Sequence, residues 1–205
     1  FEKAYQDCQE KDKIKAVLLT DPHNPTGEVL SDKFKDEIIH FCKDKNLSII
    51  SDEIYALSYL NSKRHSSLYG KAQKEGIDAH LLYGFAKDFA LAGMKVGVYY
   101  SENHTIIQAM QDLSYFHPVN TTTQRLLANI IEDDAFLGHY IKENQKRLKT
   151  LPLIISDQLK EFKFIMPEAG LFMLLDLSDH IKSLEQERGF FNLLLDKYKI
   201  KRKKY

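Results

Sequence analysis

Apolar residues cluster at Ala16, Val17, Leu18 and Leu19, and the stretch Lys15 to Thr20 is predicted to form a buried strand. The next seven residues, Asp21 to Gly27, hold two prolines, an asparagine and a glycine, so they read as a loop. Ser31 is placed to cap a helix on which Phe34, Ile38, Phe41 and Cys42 recur at helical spacing. Leu47 to Ser51 reads as a second strand. Strand, loop, helix and strand in this order make a parallel βαβ unit.

The alternation continues. His80 to Phe85 and Val96 to Tyr100 read as short strands, separated by a loop that holds Gly93. Ile106 to Leu113 and Thr121 to Glu132 carry helical patterns. Phe136 to Leu159 is also helical in pattern but contains Pro152, which is expected to kink or interrupt it. After the turn-like Pro167-Glu168-Ala169-Gly170, the segment Ala169 to Asp176 has a strand's composition. Leu184 to Tyr198 closes as an amphipathic helix whose stripe of Phe190, Phe191, Leu194 and Leu195 is expected to be core. A boundary is placed near residue 150, between an α/β layer and the start of a smaller α+β unit.

Composition narrows the class without changing this picture. Lysines plus arginines equal aspartates plus glutamates, 29 of each in 205 residues, so no global charge invites nucleic acid or an anionic membrane. Apolar runs such as Leu171 to Leu175 are far too short to span a bilayer. No signal-peptide pattern is visible. Cys8 and Cys42 make neither a disulfide framework nor a metal spacing, and Cys42 is expected to be a small buried thiol. A cytoplasmic, reducing setting fits best. The eight histidines show no ligand spacing, so no metal is expected. The basic end, Lys199 to Lys204, reads as a solvated tail or the charged start of a further strand. The first residue is Phe1 rather than Met, so the sequence is expected to be a piece of a longer chain.

Chemistry-bearing side chains fall where an α/β sheet builds binding sites, in loops beyond the carboxyl ends of strands. Asn24 follows the first strand, Asp52 lies just past the second, and Tyr55 follows Asp52 by about one helical turn. Lys87 follows the strand ending near Phe85, and Lys95 begins the next. Each has a plainer use. Asn24 could shape a turn, Asp52 could start a helix, Tyr55 could be core, and either lysine could be one more solvated amine.

Taken in order, these segments resemble the class I/II, fold-type I aminotransferases, which depend on pyridoxal 5'-phosphate (PLP). Asn24-Pro25-Thr26-Gly27 is similar to the family's NPTG motif, and Ser51-Asp52-Glu53-Ile54-Tyr55 to its aspartate and tyrosine segment. Ala86-Lys87-Asp88-Phe89 followed by Gly93-Met94-Lys95-Val96-Gly97 is similar to its PLP-lysine segment. Within that class, Lys87-Asp88-Phe89, Glu143 to Lys149 and Ala169-Gly170-Leu171-Phe172 resemble 1-aminocyclopropane-1-carboxylate (ACC) synthases and ACC synthase-like proteins most.

The resemblance implies a three-layer α-β-α fold with a mainly parallel sheet. Residues 1–150 would be part of the PLP-binding large domain and residues 151–205 the beginning of a small C-terminal α+β domain. It implies that Lys87 forms the Schiff base with the cofactor and shuttles the α-proton. Asp52 would pair with the pyridine nitrogen, and Asn24 and Tyr55 would bind the ring's phenolic oxygen. Lys95 stands where the family usually places a phosphate-binding arginine. The implied partners are an α-amino-acid substrate, with S-adenosylmethionine one candidate, and a second copy of the full-length chain in a homodimer.

Three departures accompany the likeness. Gly84 replaces a common serine and Ala86 precedes the lysine, so two phosphate-facing hydroxyls are missing. Lys95 keeps the charge of arginine but not its bidentate fork. Each lost charge-assisted hydrogen bond is worth roughly 1.5–3 kcal/mol. The family's N-terminal phosphate loop, its ring-stacking aromatic and its C-terminal substrate-binding arginine have no counterpart here. Two functions therefore stand open: a PLP enzyme of the aminotransferase or ACC synthase-like lyase type, and an inactive pseudoenzyme or scaffold that keeps the fold.

Overall fold

The computed structural model describes residues 1–61 and 65–199. A four-stranded sheet lies at its centre, built from β1 (Ala16–Thr20), β2 (Ser48–Asp52), β3 (Ala79–Gly84) and β4 (Gly97–Ser101), in that spatial order. The pairs β1–β2 and β2–β3 are parallel, while β4 returns antiparallel to β3. The mixed α/β class with a mainly parallel sheet is as the sequence leads one to expect.

Helix α2 (Asp32–Lys45) makes the first crossover and α3 (Leu68–Lys74) the second. The Ser31 hydroxyl accepts from the Phe34 N–H at 3.2 Å, the cap expected from the sequence. Asn46 ends α2 in the left-handed region, at φ 54°. Both helices bury their apolar stripes on one face of the sheet. Ile38, Ile39 and Cys42 from α2 and Leu68 and Ala72 from α3 meet Val17, Ile49 and Ala79 in a single core. Each fully buried Ile or Leu there contributes about 1.5–3 kcal/mol. Burial pushes the Cys42 thiol up to about 11, which keeps it a neutral packing group.

Beyond the sheet run α4 (His104–Ser114), α5 (Thr121–Glu132) and α6 (Asp134–Gln158). A two-stranded antiparallel sheet of β5 (Lys163–Ile165) and β6 (Leu174–Asp176) follows, and then α7 (Leu184–Asp196). The chain opens on a short helix, α1 (Glu2–Asp7). The position taken as a boundary, near residue 150, lies within α6. Among the described residues no helix is long and apolar enough to cross a membrane. Of the basic end, all but Lys199 lies outside the described residues.

Two local expectations are corrected. Of the two effects expected of Pro152, a kink or an interruption, the interruption does not occur: α6 runs through it. Its ring is buried, beside a hollow that it lines with Leu60, Leu148, Leu171 and Phe172, so tertiary packing outweighs the loss of one helical hydrogen bond. The strand expected from Ala169 to Asp176 exists only as its last three residues, Leu174–Asp176. Its first half is diverted. Ala169 bridges Tyr59, and the Gly170 N–H reaches the Ser58 carbonyl at 2.9 Å with φ 89°.

One buried ion pair ties the first crossover to the loop it leaves. Lys35 Nζ lies 2.6 Å from Asp21 Oδ2, and neither side chain is exposed. The ammonium also donates to the Ser66 carbonyl, and Asp21 Oδ1 accepts from the Leu30 N–H at 2.9 Å. Lys35→Met should destabilise the chain by about 3–5 kcal/mol, because it strands a buried carboxylate. Adding Asp21→Asn to that variant should recover most of the loss, as chemical denaturation of the three proteins would read directly.

Candidate active site

Parallel strands end side by side, so the register of β1, β2 and β3 brings their following loops to one edge of the sheet. Thr20 is paired with Asp52, and Asp52 with Leu82. The ladder runs one step further, since the Asp21 N–H donates to the Asp52 carbonyl and the Glu53 N–H to the Leu82 carbonyl. Because β4 is antiparallel, its start lies at this same edge, with Gly97 opposite Gly84. Asn24, Asp52, Tyr55, Lys87 and Lys95 thus all follow or precede strands at one edge.

The loop with Asn24 is fixed from the far end of the chain. The Glu168 and Ala169 N–H groups donate to the Gly27 carbonyl at 2.8 and 3.0 Å. Gly27 has φ 72°, and a Cβ there would lie 2.4 Å from Pro167 Cβ, so only glycine fits. Pro22 and Pro25 both follow cis peptide bonds. Asn24 Nδ2 donates to the Tyr55 hydroxyl across a long 3.4 Å, joining the first loop to the second. Tyr55 is buried and meets the edge of Phe172 at 5.0 Å and 88°.

Asp52 is the last residue of β2 and does not start a helix. It is half-buried, and among the described residues the donor to its carboxylate is the Ile54 N–H at 3.2 Å. Burial raises its pKa, Glu53 adds to the rise, and the Ile54 N–H opposes it. Its neighbour Glu53 is treated differently. Oε1 accepts from the Ser51 and Ser67 hydroxyls, both at 2.8 Å, and from the Tyr69 N–H at 3.2 Å. Oε2 lies 2.6 Å from His65 Nε2, and His65 Nδ1 meets the Tyr59 hydroxyl at 3.0 Å. Burial works against the charge on Glu53, but His65 and the two hydroxyls outweigh it and lower its pKa.

Lys87 is half-buried in a tight loop closed by the Leu91 N–H on the Phe85 carbonyl and the Ala90 N–H on the Lys87 carbonyl, both at 3.1 Å. The loop wraps a second core, in which Phe85 and Phe89 stand 5.3 Å apart and Phe89 stacks on Tyr140 at 5.6 Å. Gly84 leads into it. A Cβ at Gly84 would lie 3.2 Å from the Val96 carbonyl oxygen, so the missing serine has little room. Lys95 is exposed, in the left-handed region at φ 57°. It lines a hollow of about 380 Å³ with Met94, His117, Pro118, Val119 and Asn120.

Sequence reasoning missed the residues that hold these loops in place. Asp88 is buried and receives the Ser58 hydroxyl, the Leu57 N–H at 3.0 Å and the Tyr83 hydroxyl at 2.9 Å. Asn144 and Gln145 on α6 donate to the Asp88 and Leu57 carbonyls. Their signal was present as part of the segment Glu143 to Lys149, but nothing local says where such side chains point.

Comparison with known proteins identifies the family and the fold. The model of the family "Aminotransferase class I and II" matches residues 1–204. Among curated proteins, 1-aminocyclopropane-1-carboxylate synthase 6 of Oryza sativa subsp. japonica is 32% identical over 209 residues, covering 98% of this chain and 39% of that protein. Among solved structures, the aromatic aminotransferase of Pyrococcus horikoshii OT3 superposes with a TM-score of 0.80 at 24% identity, over 97% of this chain and 52% of that one. Cystalysin of Treponema denticola, whose structure contains a pyridoxal 5'-phosphate cofactor, gives 0.78 at 18% identity, over 91% and 48%. The chain thus spans about half or less of the length of these relatives. It belongs to the class I and II aminotransferase family.

Proposed function

We propose that this chain carries the central part of a PLP-dependent enzyme acting on α-amino acids, an aminotransferase or an ACC synthase-like lyase. The observation that carries the reading is the shared sheet edge. Three successive parallel strands end in loops that bear an amide, an acid with a phenol, and an amine. The donor set suits PLP. Asn24 and Tyr55, already hydrogen-bonded to each other, would hold the ring's phenolic oxygen. Asp52 would face the ring nitrogen and keep a proton on it. Lys87 would attach the cofactor and move the proton of the substrate's α-carbon. Lys95 would neutralise part of the phosphate charge. When bound, PLP supplies the electron sink for the pair left on that carbon.

Within this reading the full-length protein works as a homodimer, and S-adenosylmethionine is the candidate substrate that separates lyase from transaminase. A second reading, a pseudoenzyme that keeps the fold without turnover, draws on specific observations at the phosphate end. Gly84 and Ala86 offer no hydroxyl, and Lys95 is an exposed monodentate cation.

Mixing the chain with PLP, reducing with borohydride and mapping the adduct by mass spectrometry tests the first reading. The adduct is expected on Lys87, and Lys87→Ala should lose the visible absorption band with circular dichroism unchanged. Adducts scattered over surface lysines, or no band at all, would favour the pseudoenzyme. Adding S-adenosylmethionine or an aromatic amino acid to the loaded chain then distinguishes ring-forming elimination from amino transfer.

Asp52 gives a pH-dependent test. Its pKa lies above the ordinary 3.8 in the folded chain because burial disfavours the charge. The folded state therefore holds the proton to higher pH than the unfolded state does. The stability this confers is full below 3.8 and is lost as pH rises through the raised value. Asp52→Asn should thus make the cofactor-free chain more stable than its parent at neutral pH, with the difference vanishing in acid. The same variant should bind PLP more weakly. Equal melting temperatures across the pH range, or unchanged affinity, would count against the assignment.

A further inference from the structure

Asp88 sits beside the proposed attachment lysine and is buried almost completely, at 2% exposure. Among the described residues its carboxylate makes no ion pair. It collects three donors from two elements: the Leu57 N–H and the Ser58 hydroxyl from the loop after β2, and the Tyr83 hydroxyl from β3. The first two come from residues that follow Tyr55 by two and three positions. The backbone of Asp88 is held as well. Its carbonyl accepts from the Tyr140 hydroxyl at 3.3 Å and from Asn144 Nδ2 at 3.4 Å, both on α6. Gln145, one residue on, donates to the Leu57 carbonyl at 2.9 Å. One side chain therefore locks the loop of Lys87 to the loop of Tyr55, and α6 grips both sides of the lock.

We infer that Asp88 is a positioning residue that sets the place of the Lys87 amine relative to the Tyr55 phenol and hence the fit of the ring between them. This rests on the proposal that Lys87 attaches the cofactor. The physical argument is one of rigidity. An amine on a long side chain gains precision only when its own backbone is fixed on both sides, and a displacement of about 1 Å at such a centre is costly. Lys87 has the Phe85, Phe89 and Tyr140 ring cluster around its loop and Asp88 directly after it. Burial raises the pKa of Asp88 while its three donors oppose the rise. A carboxylate wedged there without those donors would be a liability, so the donors and the acid act as one unit.

The test uses Asp88→Asn with two milder variants, Ser58→Ala and Tyr83→Phe, that keep the acid and remove one donor each. PLP is titrated into each chain, and the pH midpoint of the visible band, the affinity and the borohydride adduct are read. Asp88→Asn is expected to weaken binding about tenfold or more. Ser58→Ala and Tyr83→Phe should each shift the midpoint and weaken binding to a smaller extent while the adduct stays on Lys87. A residue that only supports the fold would lower the melting temperature and leave the midpoint at the parent's value. That outcome in the two milder variants overturns the inference even where Asp88→Asn fails to fold. If the unaltered chain forms no adduct on Lys87, the functional reading falls and takes this inference with it. If the adduct forms and all folded variants titrate like the parent, the inference alone falls.

Discussion

A carboxylate taken out of water costs several kcal/mol unless donors surround it, and this chain places one directly behind each loop at the carboxyl edge of its sheet. Asp21 leads into the loop of Asn24, Glu53 follows Asp52, and Asp88 follows Lys87. All three are buried, and each is satisfied by a mixture of backbone N–H groups and side chains from a different part of the chain. Asp21 takes Lys35 and the Leu30 N–H, Glu53 takes His65, two serines and the Tyr69 N–H, and Asp88 takes Leu57, Ser58 and Tyr83. Such an acid acts as a rivet, because moving either loop away would leave a buried carboxylate without its partners.

Against these anchors Asp52 stands out. It is half-buried and among the described residues has one backbone donor where Glu53, the next residue, has four partners. The two carboxylates shift in opposite directions, Asp52 upward and Glu53 downward. Adjacent acids thus sit in opposed environments: Glu53 is enclosed by donors, while Asp52 accepts from the Ile54 N–H. The last part of the chain contributes to the same end. Pro167 to Gly170 clasp the loops after β1 and β2, and Phe172 sets the ring of Tyr55. This is why the strand pattern begun at Ala169 does not continue as a strand until Leu174.

Much of the fold could be read from periodicity because the βαβ unit announces itself. The apolar run before Asp21, the Ser31 cap and the stripe of Ile38, Phe41 and Cys42 agree with one another, and such agreement across levels is what makes a segment legible. What escaped was short or settled by distant contacts. Helix α3 has seven residues with Gly70 inside it, too few for local propensity to show, and it is held by the packing of Leu68 and Ala72. Strand β5 has three residues and a single partner. Of the site, the residues offered for chemistry were visible because motifs mark them. The anchors were not, since a buried Asp88 and an exposed aspartate look alike in sequence until Ser58, Tyr83 and Leu57 are brought around it.

The contrast between Asp52 and its neighbours also weighs on whether the edge is a site or a scaffold. A scaffold is selected for stability, and by that measure Asp52 is a poor choice: burial opposes its charge, and among the described residues the Ile54 N–H is what compensates. Lys95, held at φ 57° where a side chain costs about 1–2 kcal/mol, is another. Costs of this kind cluster at ligand-binding and catalytic sites. A cation brought to Asp52 would offset the cost of burying its charge, and Lys95, in the hollow it lines with His117 and Asn120, could meet an anion.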